Sequence, residues 1–476
     1  MSGIAPALRQ YPDSPCLSVM GKALIGWGLV NVHVYLAFFL MPYGFGGFAL
    51  TFQRASILLW LILVPVLARI PFRLNYPVAI ALAIQLWAIF TAVNSWQTLA
   101  RPAMLGRAEL YMWEASLLFF QVAALVYVEP KLRMYIRNAL LVTFGISCLV
   151  GLLQFMRFPP ALALAKYYTY KSIDNWDGKV GVRAIGLTFH PRELAFQAIV
   201  CFSLIGGMAF VRKLHKWELA SLILLSGVML FTQARGFYPV LVVMWIVVGI
   251  PMLRNDRSTI LRVVTIGVTL FLLAITIAPN RFGYMRQSTS LEQDTSYQFR
   301  EEGPWKQLDK IYEERPWTGI GPDSMLFLGQ GYKDPKFGTH MIMESAYRVF
   351  LAMYGLPGLF LLIVGLGGTI VVCALVAFNR RENDVRRCIA ATGIVVAAAL
   401  AINGHATNTF DGYMQLPAAM LIAGLAMRTR QEEAELQRRR HGSYRLDFAG
   451  ATEPYPTLNG SQEGPKEQER PKARAL

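Results

Sequence analysis

Charged residues are scarce in this chain of 476 residues, because Asp, Glu, Lys and Arg together make up 16% of it, against about 25% in ordinary soluble domains. Hydrophobic residues make up 54%, and the mean hydropathy is +0.39. Many stretches of about 20 residues carry no charge, which is the length of a helix that crosses a bilayer. The scarcity of charge excludes a soluble fold, and the sequence predicts an all-α, polytopic membrane protein.

Cysteine is also scarce, and none of the five cysteines forms a Cys-x-x-Cys pair. The sequence therefore predicts neither a disulfide framework nor a metal site. A cleavable signal sequence is absent as well, because residues 1–20 are polar and contain prolines. We expect the first hydrophobic segment to serve as an uncleaved anchor.

Hydrophobic segments divide the chain into about twelve predicted spans. They lie near residues 23–42, 55–70, 76–94, 110–128, 136–156, 193–211, 217–234, 236–253, 260–278, 356–378, 387–404 and 411–427. Spans one to nine fall within residues 23–278 and spans ten to twelve within residues 344–427, around an N-terminal segment (1–22), an outer loop (157–192), a large loop (279–343) and a tail (428–476). The tail is polar and rich in Glu, Gln, Arg, Pro and Gly, so we expect it to be largely disordered.

Basic residues exceed acidic ones, giving a net charge of +16. They cluster in short segments at Arg69/Arg73, Lys131/Arg133/Arg137, Arg212/Lys213/Lys216, Arg254/Arg257/Arg262 and Arg380/Arg381/Arg386/Arg387. Such clusters mark cytoplasmic ends of spans and contact anionic lipid headgroups, so we expect no nucleic-acid partner. With about twelve spans, all these clusters and both termini fall on the cytoplasmic side. Residues 157–192, the junction at Arg235 and residues 279–343 then face outward.

Three arginines of the outward segments have positions suited to an oxyanion. Arg235, in Thr232-Gln-Ala-Arg-Gly236, stands where one span ends and the next begins, and its planar guanidinium can form two parallel hydrogen bonds. Arg183 and Arg192 flank His190 ahead of another span, where free backbone N–H groups favour an anion. A snorkelling arginine and a charged helix cap are the structural alternatives.

The large loop carries Arg300, an amphipathic segment at residues 304–313, and then Pro316-Trp-Thr-Gly319-Ile-Gly321, whose glycines predict a tight turn. A second group of polar residues, His340 and Glu344-Ser345, precedes the next hydrophobic helix. An imidazole or carboxylate at this boundary can accept a proton from a sugar hydroxyl.

Structural alternatives exist for Glu344 as well. A carboxylate at the start of a helix is a common cap. Glu344 can also form an ion pair with Arg348, one helical turn later.

These segments resemble the O-antigen ligase and surface-polysaccharide polymerase superfamily of bacterial inner-membrane proteins. Residues 183–191 resemble its outer-loop motif, and residues 232–236 resemble its Thr-x-Ser-Arg motif with Ala234 in place of serine. The loop with Pro316-x-x-Gly-Ile-Gly321, closed by Gly355-Leu-Pro-Gly358, resembles its large periplasmic loop. Glu344 stands where the ligase branch has histidine, which favours the polymerase branch.

The resemblance implies a metal-independent membrane glycosyltransferase without a cofactor. It would transfer glycan from undecaprenyl pyrophosphate to an acceptor glycan at the periplasmic face. The absence of an Asp-x-Asp motif fits this lipid-linked donor better than a nucleotide sugar. The expected catalytic residues are Glu344, His340 and Arg235, and the expected pyrophosphate-binding residues are Arg183, Arg192, Arg235 and Arg300. Membrane lipid, a flippase and chain-length or export proteins are the expected partners.

Three alternatives remain. The closest is an O-antigen ligase, which would transfer a finished glycan to the lipid A core. A membrane transporter or a flippase for lipid-linked glycan belongs to another class, and it predicts charged residues deep within the spans. A non-catalytic scaffold of a polysaccharide export complex is the third.

Overall fold

The computed structural model describes residues 19–41, 47–68, 76–99, 108–169, 173, 182–255, 305–321, 345–405 and 415–436. All regular secondary structure in these ranges is helical, as the sequence predicts. The chain divides into two compact units, Met1–Thr429 and Arg430–Leu476. In the second unit the described residues, 430–436, are helical.

The helices of the first unit are numbered in chain order. They are α1 (Val19–Phe38), α2 (Gly47–Ala68), α3 (Tyr76–Leu99), α4 (Ala108–Val128), α5 (Lys131–Phe155), α6 (Pro159–Ala165), α7 (Pro191–Gly206), α8 (Lys216–Phe231), α9 (Tyr238–Asn255), α10 (Lys306–Glu314), α11 (Ala346–Phe378), α12 (Asp384–Asn403) and α13 (Gln415–Leu425). Two 3-10 turns, Gly207–Phe210 and Arg235–Phe237, follow α7 and precede α9.

Five helices of the described part are long and apolar enough to cross a membrane. They are Val19–Phe38, Lys131–Phe155, Pro191–Phe210, Ala346–Phe378 and Asp384–Asn403. The protein is therefore an integral membrane protein. Shorter apolar helices overlap several other predicted spans, while the predicted span 260–278 lies outside the described residues. The count of about twelve spans stays a prediction.

Helices α7 and α12 form the centre of the first unit. Of their most apolar windows, 83% and 78% of the residues are buried, against 17% for α11. Helix α7 packs against α5, α8 and α12, whereas α11 packs against α3, α10 and α12. Because most residues in the apolar windows of α7 and α12 are buried by other helices, a buried polar group in either helix needs a partner inside the protein.

One end of the first unit, where α5 and α12 begin, is held together by arginines, and we call it the arginine end. Arg133, Arg137 and Arg386 are buried, and Arg387 is half-buried. Their guanidinium groups donate to carbonyls at Met427 (2.5 Å), Leu204 (2.6 Å), Ala426 (2.9 Å), Ala377 (3.2 Å) and Phe210 (2.6 Å). These carbonyls belong to the last turns of α7, α11 and α13 and to the residues after them, where backbone acceptors lack intrahelical donors.

The arginine end corrects part of the sequence interpretation. Arg133, Arg137, Arg386 and Arg387 were expected to contact lipid headgroups, but they cap helix ends inside the protein. That they mark the cytoplasmic side stays a prediction. A sequence cannot distinguish the two roles, because both place a cation near the end of a span. Arg380 of the same cluster is exposed.

Candidate functional site

The opposite end of the first unit carries the motifs, and we call it the motif end. Helices α7, α11 and α13 begin there, and α8 and α12 end there. At this end, residues 182–188 are buried between α5 and α8. The side chain of Gln154 accepts hydrogen bonds from the backbone N–H groups of Ile185 (3.0 Å) and Gly186 (2.8 Å) and donates to the Gly186 carbonyl (3.0 Å). One fully buried amide therefore fixes the backbone of the outer-loop motif.

Arg183 joins two motifs that are about fifty residues apart. Its guanidinium donates from Nε to the Thr232 carbonyl (3.2 Å) and from Nη2 to the Gln233 carbonyl (3.3 Å), and the side chain is only 6% exposed. The backbone N–H of Ala184 also donates to the Phe231 carbonyl at 3.2 Å. These contacts give Arg183 a positioning part in the structure, and its expected contact with pyrophosphate stays a prediction.

The Thr232–Gly236 motif forms the turn between α8 and α9. Gln233 has a left-handed backbone, with φ of 53°. The Thr232 hydroxyl donates to the Met229 carbonyl (2.6 Å) and accepts from the Ala234 N–H (3.2 Å). Arg235 opens the following 3-10 turn, so its backbone lies directly beside the carbonyls that hold Arg183. The side chain of Arg235 lies outside the described part.

His190 and Arg192 stand at the start of α7. His190 is the N-cap, and its Nδ1 accepts from the backbone N–H of Arg192 at 3.2 Å. Pro191 occupies the first helical position, where its missing N–H has no consequence. The helix-cap interpretation is therefore correct for His190. Arg192 is half-buried in the first turn, and its contact with an anion stays a prediction.

The basic outer loop has both buried and exposed side chains. Tyr168 is buried and donates from its hydroxyl to the Leu40 carbonyl at 2.7 Å. Burial raises the pKa of Tyr168, which keeps this hydroxyl protonated as a donor. Arg157 and Lys166 are exposed on either side of α6, in contrast to buried Arg183. In the described part of this loop, a ligand in solvent can therefore reach these two charges.

The large loop meets α11 at a break in that helix. Gly355 has φ of 66° and ψ of −172°, so the helix is kinked there and the carbonyls before it lose their helical donors. Three groups replace those donors. The backbone N–H groups of Ile320 and Gly321 donate to the carbonyls of Ala352 (2.9 Å) and Met353 (2.9 Å). The indole N–H of Trp87 donates to the carbonyl of Tyr354 (2.8 Å).

The glycines of both motifs allow this close approach. A Cβ on Gly355 would lie 2.3 Å from the Trp317 carbonyl oxygen, and one on Gly319 would lie 2.4 Å from the Met353 carbonyl. The Leu356 N–H donates to the Pro316 carbonyl at 2.8 Å. Gly319 and Gly321 both have positive φ, which confirms the predicted tight turn. The Pro316–Gly321 and Gly355–Gly358 motifs therefore form one docked structure.

The head of α11 gathers two further segments. Ser345, not Glu344, is its N-cap, and the Ala346 N–H donates to the Gly404 carbonyl at 2.8 Å. Arg348 pairs with Asp309 of α10 at 2.5 Å. The ion pair between Arg348 and Glu344 stays a prediction, because Glu344 lies outside the described residues. The Arg348 guanidinium also lies 4.7 Å above the ring of Trp305.

Three predicted site residues belong to the part of the large loop that the structure does not describe. Glu344, His340 and Arg300 lie outside the described residues. Glu344 directly precedes the Ser345 cap, so the chain delivers it to the motif end. His405 adjoins the same place, with its ring centroid 5.8 Å from that of Trp305.

Sequence reasoning missed the connection between α12 and α13. His405 and Gln415 flank it, and Gln415 donates from Nε2 to Glu193 Oε1 at 3.2 Å. The signal was present, because the same count of spans that puts residues 279–343 outside also puts residues 404–415 there. Within the residues that the structure describes, no group of three His, Cys, Asp or Glu side chains is arranged to hold a metal ion.

Comparison with known proteins supplies the family. The family model described as O-Antigen ligase matches residues 220–363. This segment belongs to the O-antigen ligase superfamily. The match runs from α8 into α11, so it covers the Thr232–Gly236 turn, the large loop and the Gly355 kink, but not Arg183, Arg192 or Gln415. No curated protein matches the chain. Members of this family are glycosyltransferase-like enzymes, and the match together with the apolar helices indicates a membrane protein related to surface polysaccharide.

Proposed function

We propose that the protein is a polymerase of a bacterial surface polysaccharide in the inner membrane. It transfers glycan from an undecaprenyl-pyrophosphate donor to an acceptor glycan at the periplasmic face, which is the motif end. The observation that carries the proposal is the pair of hydrogen bonds from Arg183 to Thr232 and Gln233. They join the outer-loop motif to the turn that bears Arg235, and this turn lies in the matched family segment.

The reaction forms a bond between an acceptor hydroxyl oxygen and the anomeric carbon of the donor. The bond from that carbon to the pyrophosphate oxygen breaks, and negative charge develops on the leaving group. Cations placed beforehand stabilise such charge most effectively. Arg235 and Arg192 are our candidates for this role, with Arg300 from the large loop as a third.

The acceptor hydroxyl must lose its proton as the new bond forms. Glu344 and His340 are the candidate bases, and a well-placed base contributes about 10²–10⁴-fold to the rate. The docking of residues 316–321 on the Gly355 kink supports this assignment, since it ties the loop that holds His340 to the helix that follows Glu344.

Buried charges favour an enzyme over a transporter. A transporter is expected to carry ionisable groups near the middle of its spans. Among the side chains that the structure describes, the buried arginines Arg133, Arg137 and Arg386 lie in the first two turns of their helices and cap carbonyls. Arg183 lies in a loop.

The test is the polysaccharide of a deletion strain complemented with variants. Arg235→Ala and Arg183→Ala are expected to abolish long-chain polysaccharide on gels while the protein stays in the membrane. Arg380→Ala, an exposed arginine at the other end, is the matched control and is expected to behave as the parent. Normal chain-length distributions in both motif-end variants would overturn the proposal.

The deletion strain itself separates polymerase from ligase. A strain without a polymerase accumulates single repeat units on the lipid carrier, and we expect this result. A strain without a ligase accumulates long chains on the carrier. Glu344 in place of the histidine of the ligase branch is the residue that favours the first outcome.

A further inference from the structure

The first turns of α7 and α13 bring two buried acceptor oxygens together at the motif end. Gln415 is 3% exposed and donates from Nε2 to Glu193 Oε1 at 3.2 Å. The second carboxylate oxygen, Glu193 Oε2, and the amide oxygen, Gln415 Oε1, are buried and find no hydrogen-bond donor among the residues that the structure describes. Buried polar atoms are normally paired, so two unpaired acceptors in contact call for an explanation.

The chemistry of the two oxygens selects the ligand. The amide oxygen of Gln415 only accepts hydrogen bonds, and the ionised carboxylate of Glu193 does the same. An anion is therefore a poor partner for the ionised pair, whereas neighbouring hydroxyl groups of a sugar supply two donors at close spacing. Because the surroundings are protein and not water, such hydrogen bonds are strengthened by the low local dielectric.

The position of the pair relates it to the donor substrate. Arg192 precedes Glu193 in the first turn of α7, and consecutive helical side chains point about 100° apart. One helix end thus presents a cation in one direction and an acceptor pair in another. A glycan attached to pyrophosphate offers the matching set, with charge at the phosphates and hydroxyl groups on the adjacent ring.

We propose that Glu193 and Gln415 form a hydroxyl-binding pair that orients the glycan substrate in the motif end. This inference rests on the proposed function and goes beyond it, because it names two positioning residues. Both lie outside the matched family segment, Glu193 before it and Gln415 after it. A bridging water, or a protonated Glu193 carboxyl that donates to Gln415 Oε1, would make the pair purely structural, and a bound monovalent cation would also satisfy the same oxygens. The structural pair and the cation are both treated below as contrary outcomes.

Stability and activity together test the pair. The full-length protein is purified into lipid nanodiscs and given, as probe, the lipid fraction extracted from membranes of the deletion strain. For Glu193→Gln we expect the probe concentration at half-maximal rate to rise about tenfold, with the maximal rate little changed. For the double variant Glu193→Leu/Gln415→Leu we expect polymer to be lost while the melting temperature is equal to or above that of the parent, because both unpaired acceptors are gone.

Gln121→Leu is the matched control. Gln121 is fully buried in α4, and both its amide atoms also lack partners within the described part. We expect this variant to keep parental activity. A purely structural pair would instead show a lowered melting temperature in the double variant with normal activity per folded molecule, which overturns the inference.

Three further outcomes are decisive. A rise in melting temperature with sodium or potassium chloride over choline chloride, lost in Glu193→Gln, would assign the oxygens to a cation and overturn the inference. If Arg235→Ala and Arg183→Ala lose polymer while the double variant keeps it, the hydroxyl-binding pair fails and the proposed function stands. If both arginine variants keep polymer, the proposed function itself fails.

Discussion

The arginine end and the motif end of the first unit differ in how their buried polar groups are paired. At the arginine end, Arg133, Arg137, Arg386 and Arg387 all donate to carbonyls where helices finish. At the motif end, Arg183 does the same for the turn after α8, but acceptor oxygens of Glu193 and Gln415 are left over in the described part. A carbonyl that is capped by an arginine stabilises the fold, whereas a buried acceptor oxygen without a donor is available to a ligand.

The comparison changes the meaning of the positive charge. A net charge of +16 first indicated lipid contact and topology. Some of the arginines that carry this charge lie inside the protein and donate to helix-end carbonyls. The carboxyl end of a helix attracts them, because its last carbonyls lack intrahelical donors and the helix dipole is negative there. The bonds of Arg183 to the α8 end follow the same rule, so a buried arginine here is by itself no sign of a phosphate site.

The largest effect is expected from a change at the helix break. Gly355→Ala puts a Cβ at 2.3 Å from the Trp317 carbonyl in a backbone region that only glycine adopts, and the strain alone costs about 3 kcal/mol. We expect residues 316–321 to leave α11 and polymer to be lost, measured by limited proteolysis of the loop and by polysaccharide gels. Gly367→Ala, in the same helix with no atom within 4 Å of the new Cβ, is the control. Equal behaviour of the two variants would contradict the docked structure.

A second change tests the arginine end. Arg386→Ala removes the donors to the Ala426 carbonyl and to Glu382, and loss of such a buried partner costs about 3 kcal/mol. We expect a lower melting temperature and less protein in the membrane, with polymer per folded molecule unchanged. A specific loss of activity in the protein that does fold would break the contrast between the two ends.

A third change weakens the support of the outer-loop motif. Gln154→Leu leaves the N–H groups of Ile185 and Gly186 without their acceptor, at a cost of about 2 kcal/mol. Because Arg183 lies two residues before Ile185, we expect activity to fall more steeply than stability, in an assay of rate beside a thermal melt. Stability loss without a rate change would show that the motif backbone is merely structural.

The smallest effect concerns pH at the arginine end. Burial of Glu382 favours its neutral form, but hydrogen bonds from Arg428 (2.8 Å) and Arg386 outweigh it and hold the pKa below its ordinary value. A lowered pKa gives stability that is present above the unfolded-state pKa, about 4.3, and lost as the pH falls through the folded value. We expect the melting temperature of the parent to exceed that of Glu382→Gln at neutral pH and the two to converge in acid. A difference that does not shrink as the pH is lowered below about 4.3 would contradict this.

The sequence predicts the central helices well and their joints poorly. Charge-free runs locate α7 and α12, and paired glycines correctly predict the turn at Gly319 and Gly321. The predicted span 356–378 is the part of α11 that follows the kink at Gly355, and the helix itself begins at Ala346, directly after Glu344 and Ser345. Glycine marks a possible break, but only the neighbouring backbone of Trp317 shows why the break is kept.

Contacts between residues far apart in the chain could not be predicted either, because a local sequence pattern does not show which distant segments pack together. Arg348 could be paired from sequence only with a residue one turn away, whereas its partner Asp309 comes from another helix. Glu193 and Gln415 are 222 residues apart, and no local pattern connects them. Arg183, Arg192 and Arg235, by contrast, could be singled out from the sequence, because charged residues are rare in such a chain.

The docking of the large loop has a consequence for how such proteins can diversify. Gly321 is held at Met353, and the chain returns to the same helix at Ser345, about 12 Å away along the axis at 1.5 Å per residue. Both ends of the intervening stretch are therefore attached to the same helix, α11, which serves as a fixed frame for it. Lengthening such a stretch twofold costs only about 0.6 kcal/mol, so new sequences can be exchanged between residues 322 and 344 while the frame is inherited unchanged.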